Sequence, residues 1–81
     1  MVVAFGGFPG NATDWITIVA ISTADDQHDS TRWSYTEGKL QGSVTLDGLQ
    51  TPGEYEARGY FDWAAGGDYI VRSRHRFTVL P

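Results

Sequence analysis

The side chains of this chain best suited to recognise a ligand are three aromatics, Trp63, Tyr60 and Trp33, and two arginines, Arg72 and Arg74. Flat rings offer broad apolar faces on which the C–H face of a sugar can stack, and Tyr and Trp add a polar edge. Guanidinium groups grip carboxylates and sulfates through paired N–H donors. Trp63 falls at the tip of the last hairpin and Tyr60 on its polar face, so both are expected in solvent. Trp15 and Tyr35 are expected in the core. Coplanar exposed rings flanked by polar donors would mark a carbohydrate site, whereas a contiguous apolar patch would mark a protein partner.

Other chemistries fare worse. Asp25, Asp26 and Asp29 could offer calcium hard oxygen ligands, but the loop lacks the Asp-x-Asp-x-Asp-Gly spacing of a dedicated site. Three loop carboxylates are expected simply to be solvated. Glu54 and Glu56 share a strand face yet sit beside arginines, which keep carboxylates ionised. An 81-residue chain also leaves little room for the cleft that glycoside hydrolysis needs. His28 and His75 lie far apart, and no serine sits in a nucleophile elbow. Cysteine is absent, which excludes thiol chemistry and zinc–thiolate sites. The expectation is therefore no catalysis, no cofactor and no metal.

The elements that must position these residues are strands. Glu54 to Asp62 alternates, with Tyr55, Ala57, Gly59 and Phe61 on one side and Glu54, Glu56, Arg58, Tyr60 and Asp62 on the other. Tyr69 to Leu80 sets Tyr69, Val71, Phe77 and Val79 against Arg72, Arg74 and Arg76. Alternation of this kind marks a half-buried antiparallel hairpin. With Ala64-Ala65-Gly66-Gly67-Asp68 as its turn, Glu56 opposes Arg76, Arg58 opposes Arg74, Tyr60 opposes Arg72 and Phe61 opposes Val71. Tyr60 and Arg72 would then form a cation–π contact. Arg58 beside Arg74 is unfavourable unless Glu56 or Asp62 intervenes. Cross-strand pairs account for most of the arginine face, and any surplus could meet a carboxylate-bearing or sulfated polymer. His75 is expected half-buried on the apolar side, unless a bulge near Ser73-Arg74-His75 turns it outward.

Upstream, Met1 to Phe8 reads as a strand ending at the Pro9-Gly10-Asn11 turn. Asp14 to Ser22 is β-branched and apolar on both faces, as a central strand would be. Residues 23–31 form a polar acidic loop. Arg32 to Thr36 and Leu40 to Leu46 are two further short strands about the Glu37-Gly38-Lys39 turn. No segment holds a helical period, and turn signals recur every 8–12 residues or so, as in a β-sandwich.

The run Gly48-Leu49-Gln50-Thr51-Pro52-Gly53-Glu54-Tyr55-Glu56-Ala57-Arg58 resembles the corner entering strand F of fibronectin-type-III and related immunoglobulin-like domains. In that corner a tyrosine, here Tyr55, bonds its hydroxyl to nearby backbone. Phe8-Pro9-Gly10-Asn11, Asp14-Trp15-Ile16, Trp33-Ser34-Tyr35-Thr36, Tyr60-Phe61-Asp62-Trp63 and Phe77-Thr78-Val79 together resemble small accessory modules of bacterial multidomain proteins, of the kind associated with secreted hydrolases and caspase-like proteins. The Asp-Trp-Ile element is also similar to the start of SKICH domains and of the immunoglobulin-like domain preceding some metallophosphatases. Thr17 stands where Gly often follows that element. The resemblance implies a non-catalytic module, secreted or at the cell surface within a larger bacterial protein.

Residues 1–81 are accordingly expected to form a single immunoglobulin-like β-sandwich of about seven antiparallel strands in two sheets, cut from a longer chain. Its expected core is Tyr55, Phe61, Val71, Phe77, Val79, Trp15, Ile16, Ile18, Val44, Leu46 and Leu49. Its expected role is binding, with polysaccharide as the leading ligand through Trp63, Tyr60 and Trp33. The alternative is a protein–protein or self-association module using the same aromatics or an unpaired strand edge. The net charge of −4 argues against nucleic acid, which needs many cations at its phosphates. No run approaches the ~20 apolar residues of a membrane span.

Overall fold

A computed structural model describes residues 1–63, 65 and 69–80, and among these the chain is all-β. Its strands are β1 (Val2–Phe5), β2 (Trp15–Ala20), β3 (Trp33–Tyr35), β4 (Gly42–Thr45), β5 (Gly53–Tyr60) and β6 (Val71–Val79). They form two antiparallel sheets, a two-stranded β1-β4 ribbon and a four-stranded sheet ordered β3-β2-β5-β6. Six strands stand where about seven were expected. The expected hairpin turn lies, Ala65 apart, outside the described residues.

The apolar-on-both-faces character of β2 places it inside its sheet, between β3 and β5. Trp15, Ile16, Ile18 and Val19 are all buried. Strand pairing puts Ile16 beside Gly59 and Ile18 beside Ala57, and this side faces the β1-β4 ribbon. Phe8 plugs the space between the sheets, its ring packed on Phe5 and Phe61 at 5.0 and 4.8 Å between centroids. Phe8 and Val19 are core residues absent from the expected set. Of that set, Trp15, Ile16, Ile18 and Leu46 are buried, while Tyr55, Phe61, Val71, Phe77, Val79, Val44 and Leu49 are only partly so.

The β5–β6 register follows the expected pairing as far as Gly59, with Glu56 opposite Arg76 and Arg58 opposite Arg74. Beyond it a shift sets Tyr60 opposite Val71, which leaves Arg72 as the extra residue of a bulge. The expected Tyr60–Arg72 and Phe61–Val71 pairings are corrected accordingly. The bulge also sits closer to the hairpin end than the expected Ser73-Arg74-His75 position, and His75 is exposed rather than half-buried. At the other end of β5 the Tyr55 hydroxyl donates to the Thr51 carbonyl at 2.6 Å.

The larger correction concerns the other side of the four-stranded sheet. Glu56, Arg58 and Tyr60 were expected on a solvated face; they are 2%, 2% and 1% exposed. The acidic loop between β2 and β3 folds back over them. Arg58 donates to the carbonyls of Thr23 and Ala24 at 2.7 and 3.1 Å, and the Tyr60 hydroxyl donates to that of Asp25 at 2.7 Å. The loop is itself prefolded. Asp29 Oδ1 accepts from the Thr31 hydroxyl and backbone N–H, and Asp29 Oδ2 from Arg32. A carbonyl-rich loop over an arginine satisfies donors and acceptors together, which burial requires.

Candidate binding site

Pairing in register builds an aromatic cluster at one end of the four-stranded sheet. Trp15 lies opposite Tyr35 on β3 and opposite Tyr60 on β5, and Trp33 lies opposite Thr17 on the same side. The Trp15 and Tyr60 rings stack at 4.2 Å, only 12° from parallel. Around Trp15 stand His28, Trp33, Trp63 and Tyr69, at centroid distances of 5.0, 6.0, 5.7 and 6.4 Å and at steep angles of 65–87°. Trp33 and Tyr35 meet edge to face at 5.0 Å. A pocket of about 180 Å³ is lined by Trp15, His28, Trp33, Tyr35, Trp63 and Tyr69.

One buried carboxylate braces this box. Asp14 immediately precedes Trp15, and its side chain accepts from the backbone N–H groups of Asn11 and Asp62 at 3.0 and 2.9 Å. Its carbonyl accepts from the Thr36 N–H at 2.9 Å. Asp14 thereby ties together the turn before β2, the end of β3 and the turn that carries Trp63. Asp62 and Tyr69 both adopt positive φ, 52° and 54°. That conformation is unusual for a bulky ring such as Tyr69, and it is the kind of local strain that collects at ligand sites. The Trp15 indole N–H is buried without an acceptor among the described residues.

Beside the box lies the ionic network. Glu56 Oε1 accepts from Arg58 Nε and from Arg74, each at 2.7 Å, and Arg74 also donates to Asp25 at 2.6 Å. Arg76 approaches the second Glu56 oxygen at 3.7 Å. Glu56 is the intervening carboxylate that makes adjacent Arg58 and Arg74 tolerable. Burial alone would raise its pKa, but hydrogen bonds from Arg58 and Arg74 and their charges outweigh this and hold it below the ordinary glutamate value. The Tyr60 hydroxyl moves the other way, raised chiefly by burial. Arg74 is raised by its bonds to Asp25 and Glu56.

The expected site residues thus separate. Trp63 and Trp33 share the box. Tyr60 lies beneath it, stacked against Trp15, and its expected exposure is corrected. Arg74 belongs to the neighbouring network, and Arg72 is exposed at the bulge. Tyr35, expected in the core, is exposed at the rim, while His28, from the polar acidic loop, caps Trp15. The i, i+2 spacing of Trp33 and Tyr35 was a legible sign that both project from one side of β3. No protein-family model matches this chain, and no curated protein or solved structure matches it.

Proposed function

We propose that this chain is a non-catalytic accessory module on an immunoglobulin-like plan, and that it binds a polysaccharide by seating one sugar ring in the aromatic box. The observation that carries this is the box itself: six ring-bearing residues from four segments around about 180 Å³. That space is smaller than the ~300 Å³ at which drug-sized ligand pockets begin, and suits a single ring with its substituents. Steep walls rather than one flat platform favour a chain end or a single projecting residue over a long stacked polymer face. The sheet order and the Tyr55–Thr51 bond support the immunoglobulin-like plan. Ion pairing of Glu56 supports a non-catalytic role, since a carboxylate held ionised makes a poor general acid.

Affinity electrophoresis over a panel of polysaccharides tests the proposal. The wild-type chain is expected to be retarded by at least one glycan, and Trp63→Ala and Trp33→Ala to abolish that retardation with the melting midpoint preserved. Equal mobility of wild type and both variants across the panel would refute it.

A further inference from the structure

The two sheets are unequal in width, and the mismatch leaves a slot. Among the described residues β1 pairs with β4 alone, and β4 approaches β3, so the opposite side of β1 overhangs β5 and β6. Beneath that edge two clefts of about 310 and 300 Å³ run along β1, over Ile18 and Ala57 and against His75 and Phe77 on β6. The hydrogen-bond pattern says which backbone groups face the slot. Met1 and Leu46 exchange both of their bonds, at 2.7 and 2.8 Å. In an antiparallel ladder such pairs alternate with pairs whose N–H and C=O groups point outward. Val3–Val44 and Phe5–Gly42 are therefore bonded pairs, and Val2 and Ala4 direct their donors and acceptors away from β4.

Of the other edge strands among the described residues, β4 lies alongside β3, and β3 and β6 are protected in ways β1 is not. β3 has three residues, and β6 carries Arg72, Arg74 and Arg76 together with a bulge. Charges, bulges and brevity are the usual devices against unwanted pairing. Residues 1–13 contain no charged side chain, and Val2 is 70% exposed.

We infer that the β1 edge is a strand-addition site for an uncharged extended peptide from a partner protein, with apolar side chains at alternate positions facing the slot. The space between packed sheets is ~10 Å and strands sit ~4.8 Å apart, so a single strand fits between the edge and β6. A second copy does not fit as well. Brought edge to edge, it would drive its own β6 beneath the same slot. Backbone bonds to Val2 and Ala4 supply affinity, and alternate side chains over Ala57 and Phe77 supply selectivity.

The probe is a capped seven-residue peptide alternating valine and threonine between terminal glutamines, titrated into the 81-residue chain and followed by amide NMR. Saturable binding with slowed exchange of the Val2 and Ala4 amides is expected, with a peptide of the same composition but adjacent valines binding more weakly. Ala4→Pro removes an outward donor without touching the β4 ladder and is expected to weaken binding about tenfold, the worth of roughly one hydrogen bond. Should Ala4→Pro fail to fold, Val2→Pro removes the other outward donor and carries the same expectation. Unchanged affinity in the folded variant, equal binding of the control peptide, or no binding at millimolar peptide would overturn the inference. So would self-association by sedimentation that the edge variant abolishes in the absence of peptide binding, which would put a second copy on the edge.

Discussion

The two sides of the four-stranded sheet are closed by different means. On the loop side, polar and charged groups of β5 are sealed under a segment whose carbonyls and carboxylates match them one by one: Arg58 with Thr23, Ala24 and Glu56, and Tyr60 with Asp25. On the ribbon side, apolar residues meet a two-stranded sheet too narrow to cover them, and clefts remain. Buried hydrogen-bonding groups need partners, so a polar side closes where donors meet acceptors; among the described residues the Trp15 indole N–H and Arg32 Nε are the exceptions. Apolar surface carries no such demand, and a partly covered core can persist beside an open slot. The contrast assigns matched polar burial of β5 to the loop side and open apolar clefts to the ribbon side, while a hollow of about 640 Å³ lies at the flank of the loop, between Thr23, His28, Arg32 and the corner entering β5.

The sharpest way to break the loop side is Glu56→Gln. Glu56 is the shared partner of Arg58, Arg74 and, more distantly, Arg76. Removing its charge leaves Arg58, 2% exposed, without its buried counter-ion. The expected loss is about 3–5 kcal/mol by urea denaturation, as for other broken buried pairs. Acidity supplies an independent check. Because the folded carboxyl lies below its ordinary 4.5, the unfolded chain binds more protons, and the Glu56 contribution is present above that value and fades as pH falls through the folded pKa. The gap between wild type and Glu56→Gln should therefore narrow below about pH 4.5. Asp29, lowered chiefly by the Thr31 hydroxyl and also by its backbone N–H and Arg32, leaves some acid sensitivity in the variant. A gap constant from about pH 7 to about pH 3, a span that brackets the ordinary carboxylate pKa, would contradict the network.

The ribbon side should respond to volume rather than charge. A methyl group added at Gly59 would lie 2.7 Å from the tip of the Phe8 ring and 3.2 Å from Ser73 Cβ. Phe8 cannot swing aside cheaply, since Phe5 and Phe61 hold it from two directions. Gly59→Ala is expected to destabilise by about 1–3 kcal/mol, as overpacking does. No change in midpoint would mean that the ribbon side is looser still.

Strand order and register were legible in the chain to the extent that alternation and turn residues determine them. Two-sided apolarity marked β2 as central, and the spacing of Glu56, Arg58, Arg74 and Arg76 gave the pairing that β5 and β6 adopt. Alternation, however, says which side a residue joins and not what covers that side. Glu56, Arg58 and Tyr60 read as solvent-facing because nothing local reveals that residues 23–28 return across them. Asp25 is exposed, as expected of a loop carboxylate, but nothing local announces its pairing with Arg74. The box was half legible: Trp33 and Trp63 were singled out, but His28 and Tyr69 arrive from segments distant in sequence, and the positive φ of Tyr69 leaves no mark in a residue that is not glycine.

The corner entering β5 probes the boundary between the two sides with the smallest expected effect. Tyr55 lies opposite Phe77, their rings 6.0 Å apart, so its ring remains packed when the hydroxyl is removed. The hydroxyl's bond to Thr51 is short, 2.6 Å, but exposed, so water can replace it at either partner. A buried bond of this kind would be worth up to ~1.5 kcal/mol, whereas re-solvation here limits Tyr55→Phe to about 0.5 kcal/mol. A loss above about 1.5 kcal/mol would show that the corner is sealed in solution and that the bond carries full weight. Such a result would place the Leu49-to-Tyr55 segment with the closed loop side rather than with the open ribbon.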